Sequence, residues 1–164
     1  MKKFVVFIFF NAFLFFHLVG QNQSAFQTKI TGSRFSISQQ IEFQHNIKNS
    51  FLAIGVGYDI GRAIQYQHFA PSVQLGYAHA LIQHEKLSVL IQINQVTLFR
   101  LYPSNSNLTL HSTSFGYALS YGERWQLIQE LGLGMALLSP SMGSKQLVHD
   151  FRFSFGVRRI LSKN

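Results

Sequence analysis

Along most of this chain, large apolar residues fall at every second position with small or polar residues between them. The stretch 149–159 is the clearest case. Phe151, Phe153, Phe155 and Val157 alternate with Asp150, Arg152, Ser154, Gly156 and Arg158. A strand turns successive side chains to opposite faces, so this pattern predicts a strand with one greasy face and one small or charged face. The same period recurs in residues 35–47, where Phe35, Ile37, Ile41, Phe43 and Ile47 share a face opposite Ser36, Ser38, Gln40, Glu42, Gln44 and Asn46. It recurs again in 51–59, 72–82, 87–101, 109–121 and 125–138. In 87–101 the alternation Leu87, Val89, Ile91, Ile93 is expected to change phase near Gln95, at a bulge.

Those segments make seven strands. An eighth is expected from 24–31, with Phe26 and Ile30 outward and a turn at Gly32-Ser33; the alternative is 63–68. The connections differ in length. Lys48-Asn49-Ser50, His84-Glu85-Lys86 and Gly122-Glu123-Arg124 read as tight turns, while 61–71, 102–107 and 139–146 are longer. Pro71, Pro103 and Pro140 occur only in the longer set, where no ladder donor is needed. Short turns at one end and longer loops at the other suit an outer-membrane barrel, with the tight turns and both termini on the periplasmic side. The expected fold is therefore all-β: a closed antiparallel transmembrane β-barrel of eight strands.

Composition decides which face is inside. Charged residues are only 12% of the chain and aromatics 15%, with 17 Phe. A soluble lipid-binding barrel, such as a periplasmic one, buries its large apolar side chains and shows Lys, Glu, Asp and Thr to water. Here the non-greasy face is Gly, Ala, Ser and Gln, which is poor in charge for a wetted surface and suited to a narrow interior. The charges on that face, Glu42, Asp59, Glu130, Asp150, Arg152 and Arg158, come in both signs and are expected to form a polar network in the lumen. Glu130 is expected to reach an arginine of the last strand.

The first twenty residues have the form of a secretory signal: a basic Met1-Lys2-Lys3, an apolar run from Phe4 to Phe16, then Leu18-Val19-Gly20 before polar Gln21-Asn22-Gln23. Cleavage there leaves 21–164 as the barrel domain. The formal net charge is +8, but its cations stand singly, as at Lys29, Arg34, Lys48, Arg62, Lys86, Arg100 and Arg124. That spacing, on an exported chain, excludes a nucleic-acid partner and suits an anionic membrane surface. The absence of Cys excludes disulfides, thiolate metal sites and catalytic thiols.

With these features the chain resembles the small bacterial outer-membrane β-barrel families of the OmpA-transmembrane-domain and OmpX type, the generic "porin family" barrels. The likeness covers about residues 24–161 and rests on the leader, the strand count and Gly-aromatic strand ends such as Gly55-Val-Gly-Tyr58, Leu75-Gly-Tyr77 and Phe115-Gly-Tyr117. It implies a monomer in the bacterial outer membrane, with outer-membrane lipid and the barrel assembly machinery as partners. One departure is visible: such barrels commonly end on an aromatic residue, whereas this chain ends Ile160-Leu-Ser-Lys-Asn164.

Candidate chemistry is sparse. A lipid-modifying enzyme at the outer rim, the alternative class of function, needs a Ser activated by a His. His111 and Ser112 are adjacent, so a strand points them to opposite faces. His45, His68, His79, His84, His111 and His149 are scattered without metal-ligand spacing. Gly55-Val-Gly57 and Gly132-Leu-Gly134 lie within strands, with no helix to cradle a phosphate. The expectation is a non-enzymatic barrel, without cofactor or metal, serving envelope structure, surface interaction or small-solute passage.

Overall fold

The computed structural model describes residues 24–60, 70–84, 86–100, 107–141 and 143–161. Both the leader expected at 1–20 and the alternative strand at 63–68 lie outside them. Eight strands follow in order: β1 (Ser24–Ser33), β2 (Ile37–Ile47), β3 (Ser50–Asp59), β4 (Pro71–Gln83), β5 (Leu87–Arg100), β6 (Leu108–Gly122), β7 (Trp125–Pro140) and β8 (Gln146–Leu161). Each pairs antiparallel with the next, and β8 pairs with β1 to close the barrel. The eighth strand is therefore the N-terminal segment.

The wall is inside out relative to a water-soluble domain. Leu133, Val56 and Phe115 are 70%, 63% and 60% exposed on its outside, and Phe151, Phe153 and Phe155 stand there with them. The inward side is Gly, Ala, Ser and Gln, with a few charged residues. This follows from closure: side chains inside a narrow barrel converge and must be small, while those outside diverge and can be large.

The strands tilt strongly. Paired residues followed from Ser33 through Arg152, Gly132, Gly116, Gln92, Ala78 and Phe51 arrive at Asn46, beside the start of β1 and not its end. The walls also differ in height. β1, β2 and β3 have 10, 11 and 10 residues, whereas β6, β7 and β8 have 15, 16 and 16. Beyond its last β1 partner, Arg152, β8 runs on to Gln146 with β7 alone beside it.

The structure corrects the sequence at three places. β5 does not change phase at Gln95: Gln95 stays outward, and Val96, Leu98 and Arg100 turn into the lumen. The register irregularity lies instead in β4, between Ala80 and Ile82, and leaves Leu81 and Ile82 both exposed. Phe35 is not part of the outer greasy face. It sits in the turn closed by Ser33 N donating to Ser36 O (2.8 Å) and packs inward. The first and the last share one cause. The loop end of the lumen holds an apolar plug of Ala70, Leu98, Leu110 and Ala136, with Phe35, Leu138 and Val148 against it. Apolar residues there face inward, so "apolar means outward" fails at that end.

Candidate functional site

The lumen is where the expected polar residues meet. Glu42, Asp59, Glu130, Asp150, Arg152 and Arg158 are all buried inside the barrel. Two further cations join them, Lys29 from β1 and Arg100 from β5. Among the described residues the interior thus holds four cations (Lys29, Arg100, Arg152, Arg158) against four anions (Glu42, Asp59, Glu130, Asp150). An unpaired charge in such a place costs several kcal/mol or more, roughly, so balance is a condition of folding.

The charges fall into two groups. Midway down the lumen, Lys29 Nζ lies 2.7 Å from Glu42 Oε1 and 2.7 Å from Glu130 Oε2. Gln27 Nε2 donates to Glu130 Oε1 (3.1 Å), and Gln44 Nε2 donates to Gln27 Oε1 (2.6 Å). Arg158 completes the group by donating to Gln27 Oε1 and to Gln126 Oε1 (3.3 Å each), with its guanidinium 5.7 Å from the Phe51 ring centre. Glu130 therefore meets its cation from β1, where the sequence pointed to an arginine of β8. Nearer the loop end, Arg152 pairs with Asp150 (3.5 Å), which also accepts from Ser112 Oγ (2.5 Å). Arg100 pairs with Asp59 (3.4 Å) and donates to the Phe35 carbonyl, tying the β1–β2 turn to the plug.

Little room remains between these side chains. One cavity of about 10 Å³ is lined by Lys29, Gln92, Glu130 and Arg152, and another of about 20 Å³ by Glu42, Phe51, Leu90 and Arg158. A third, of about 50 Å³, lies at the tight-turn end beside Gln44, Gln126 and Arg158. Spaces of this size hold one or a few waters and no solute.

Lys29 and Arg100 are the residues missed by reading the sequence. For Lys29 the signal was present: if Phe26 and Ile30 point outward, Gln27, Lys29 and Thr31 point inward. Arg100 was hidden by the supposed change of phase in β5.

The histidine and serine at the loop end part company. Ser112 is fully buried and bound to Asp150, while His111 faces outward with its Nδ1 3.0 Å from Thr97 Oγ1. The two cannot act as base and nucleophile on one substrate. The glycines at 55 and 57 serve close packing, since a Cβ on Gly57 would lie 2.8 Å from the Gln39 carbonyl oxygen and 2.7 Å from Ser72 Oγ. Among the described residues there is no group of three His, Asp or Glu side chains able to hold a metal ion.

Comparison with solved structures shows what this geometry is similar to. The N-terminal β-barrel domain of Pseudomonas aeruginosa OprF superposes with a TM-score of 0.58 at 11% identity, covering 86% of this chain and all of that one. Neisserial surface protein A gives 0.50 at 13% identity, covering 84% of this chain and 94% of that one. A de novo designed transmembrane β-barrel gives 0.51 at 10% identity, covering 85% and 95%. At such identities the likeness is one of fold. No family model matches the chain, and no curated protein does.

Proposed function

We propose that this protein is a non-enzymatic barrel of the bacterial outer membrane that works through its rims and loops, in envelope structure or surface interaction, and not as an open pore. The observation that carries the reading is a wall apolar on the outside around a lumen that is charge-balanced, closely filled and plugged at the loop end. An outward apolar band fits lipid, and eight strands enclose side chains more readily than a water channel. The leader at 1–20 would export the chain, and the barrel assembly machinery would insert it as a monomer with its longer loops outside. The likeness in fold to a designed transmembrane β-barrel and to Neisserial surface protein A supports a membrane location.

Two measurements test this. The protein should leave washed membranes only with detergent and migrate differently on gels before and after boiling; release by salt or carbonate would sink the membrane reading. Reconstituted into planar bilayers, it should give no steady conductance, whereas a reproducible open level in most insertions would make it a channel. A third outcome concerns chemistry. His111→Ala should leave the mass spectrum of the host's extracted lipids unchanged, and a lost modification would reinstate the rim enzyme.

A further inference from the structure

The unequal height of the walls leaves a notch on the outside of the barrel at its loop end. β1 stops at Ser33, opposite Arg152, while β8 continues upward. Beside the resulting step lies an open groove of about 580 Å³. Its floor is Gly32, Leu133, Phe151 and Phe153, and Arg34 and His149 stand at its lip. The volume is in the range of sites that hold small molecules, roughly 300–1,000 Å³.

The two ends of the groove differ in chemistry. The floor belongs to the outward apolar band, with Leu133, Phe151 and Phe153 all exposed. Gly32 deepens it, because the nearest atom to a Cβ built there is the Phe153 carbonyl oxygen at 3.9 Å, so nothing fills that space. The lip is cationic or neutral. Arg34 is exposed, stacks its guanidinium 5.7 Å from the Phe35 ring centre, and has no carboxylate partner among the described residues. His149 faces outward beside it. The acidic residue at the notch, Asp150, turns its carboxylate into the lumen, where Ser112 and Arg152 hold it. A ligand at the lip therefore meets positive charge without a competing anion.

We propose that this notch binds an acyl lipid of the outer leaflet whose phosphate headgroup carries net negative charge, with an acyl chain along Leu133, Phe151 and Phe153 and the phosphate at Arg34 and His149. The guanidinium fork matches phosphate oxygens in pairs, and a basic lip above an apolar wall sits at headgroup depth. The site rests on the outer-membrane reading, since a notch facing water would stay unfilled by lipid.

The test uses the chain folded into phosphatidylcholine vesicles that contain a photoactivatable phosphatidic acid, or phosphatidylcholine bearing the same reactive chain. Crosslinks are mapped by mass spectrometry after flotation. Peptides holding Gly32 and Phe151–Phe153 should be labelled about fivefold more by the phosphatidic acid probe, the effect of roughly one nearby cation. Arg34→Gln with His149→Gln should bring the two probes to parity and leave choline-lipid labelling as it was. Phe151→Ser should lower labelling by both. A floating, heat-modifiable barrel with equal labelling by the two probes, or with a preference that survives the double exchange, overturns the site alone. A chain that stays in solution and never floats overturns the membrane reading and the site together.

Discussion

Lys29→Met is expected to cost the barrel about 3–5 kcal/mol of unfolding free energy, the scale for stripping one partner from a buried ion set. Lys29 Nζ is held between Glu42 and Glu130 at 2.7 Å from each. Without it, two carboxylates remain buried in a lumen whose remaining spaces hold only a few waters to screen them. Arg158 is spoken for by Gln27 and Gln126. Adding Glu42→Gln alone should restore most of the loss, because the double variant again buries three cations against three anions. Urea titration in detergent micelles, with folded protein read from its unboiled gel mobility, gives the numbers. A loss below about 1 kcal/mol would mean that the lumen is wet enough to behave like a surface, where ion pairs contribute little.

Gly116→Val should prevent β6 from closing on β7, leaving little or no heat-modifiable protein. A Cβ at Gly116 would run into the Leu131 carbonyl oxygen and lie 2.6 Å from the Gly132 Cα. Gly134 meets the neighbouring strand in the same way, through the Thr113 carbonyl and the Ser114 Cα at 2.6 Å. These are backbone atoms, so no rotamer change relieves the clash, and a penalty above about 4 kcal/mol is expected. The cause is curvature: inward substituents on a tightly curled sheet crowd the adjacent strand. Gly32→Ala is the control, since its Cβ would enter open space. It should change stability by no more than about 0.5 kcal/mol. Equal effects of the two exchanges would discredit the curvature account.

The fold was legible because the period-2 pattern is a direct print of which side chains face outward and which meet one another. β7 and β8 could be read residue by residue, from Trp125 to Leu137 and from Phe151 to Val157. Legibility failed where burial and outward display ask for the same residue type. Leu98, Leu110 and Phe35 are apolar because they plug the lumen, and in sequence they look no different from the outward Ile93 or Phe115. The bulge in β4 left no mark either, because Leu81 and Ile82 are both apolar and both exposed. The six lumen charges could be named from their position in the alternation. Their partners could not, because pairing across the lumen depends on tilt and closure. The contact of Lys29 with Glu130 joins residues far apart in sequence, on strands that are not neighbours.

For a barrel seated in the membrane as proposed, the staircase of strand lengths has a consequence in the plane of the bilayer. A wall of ten residues tilted by about 40° rises roughly 25 Å, near the height of the apolar band of outer-membrane barrels, whereas sixteen residues overshoot it. The strand wall thus has a low front at β1–β3 and a high back at β6–β8. A cylindrical peg offers every neighbour the same flank, but this one presents a different silhouette with each turn about its axis. In that proposed setting, its encounters would be governed by rotation as much as by drift.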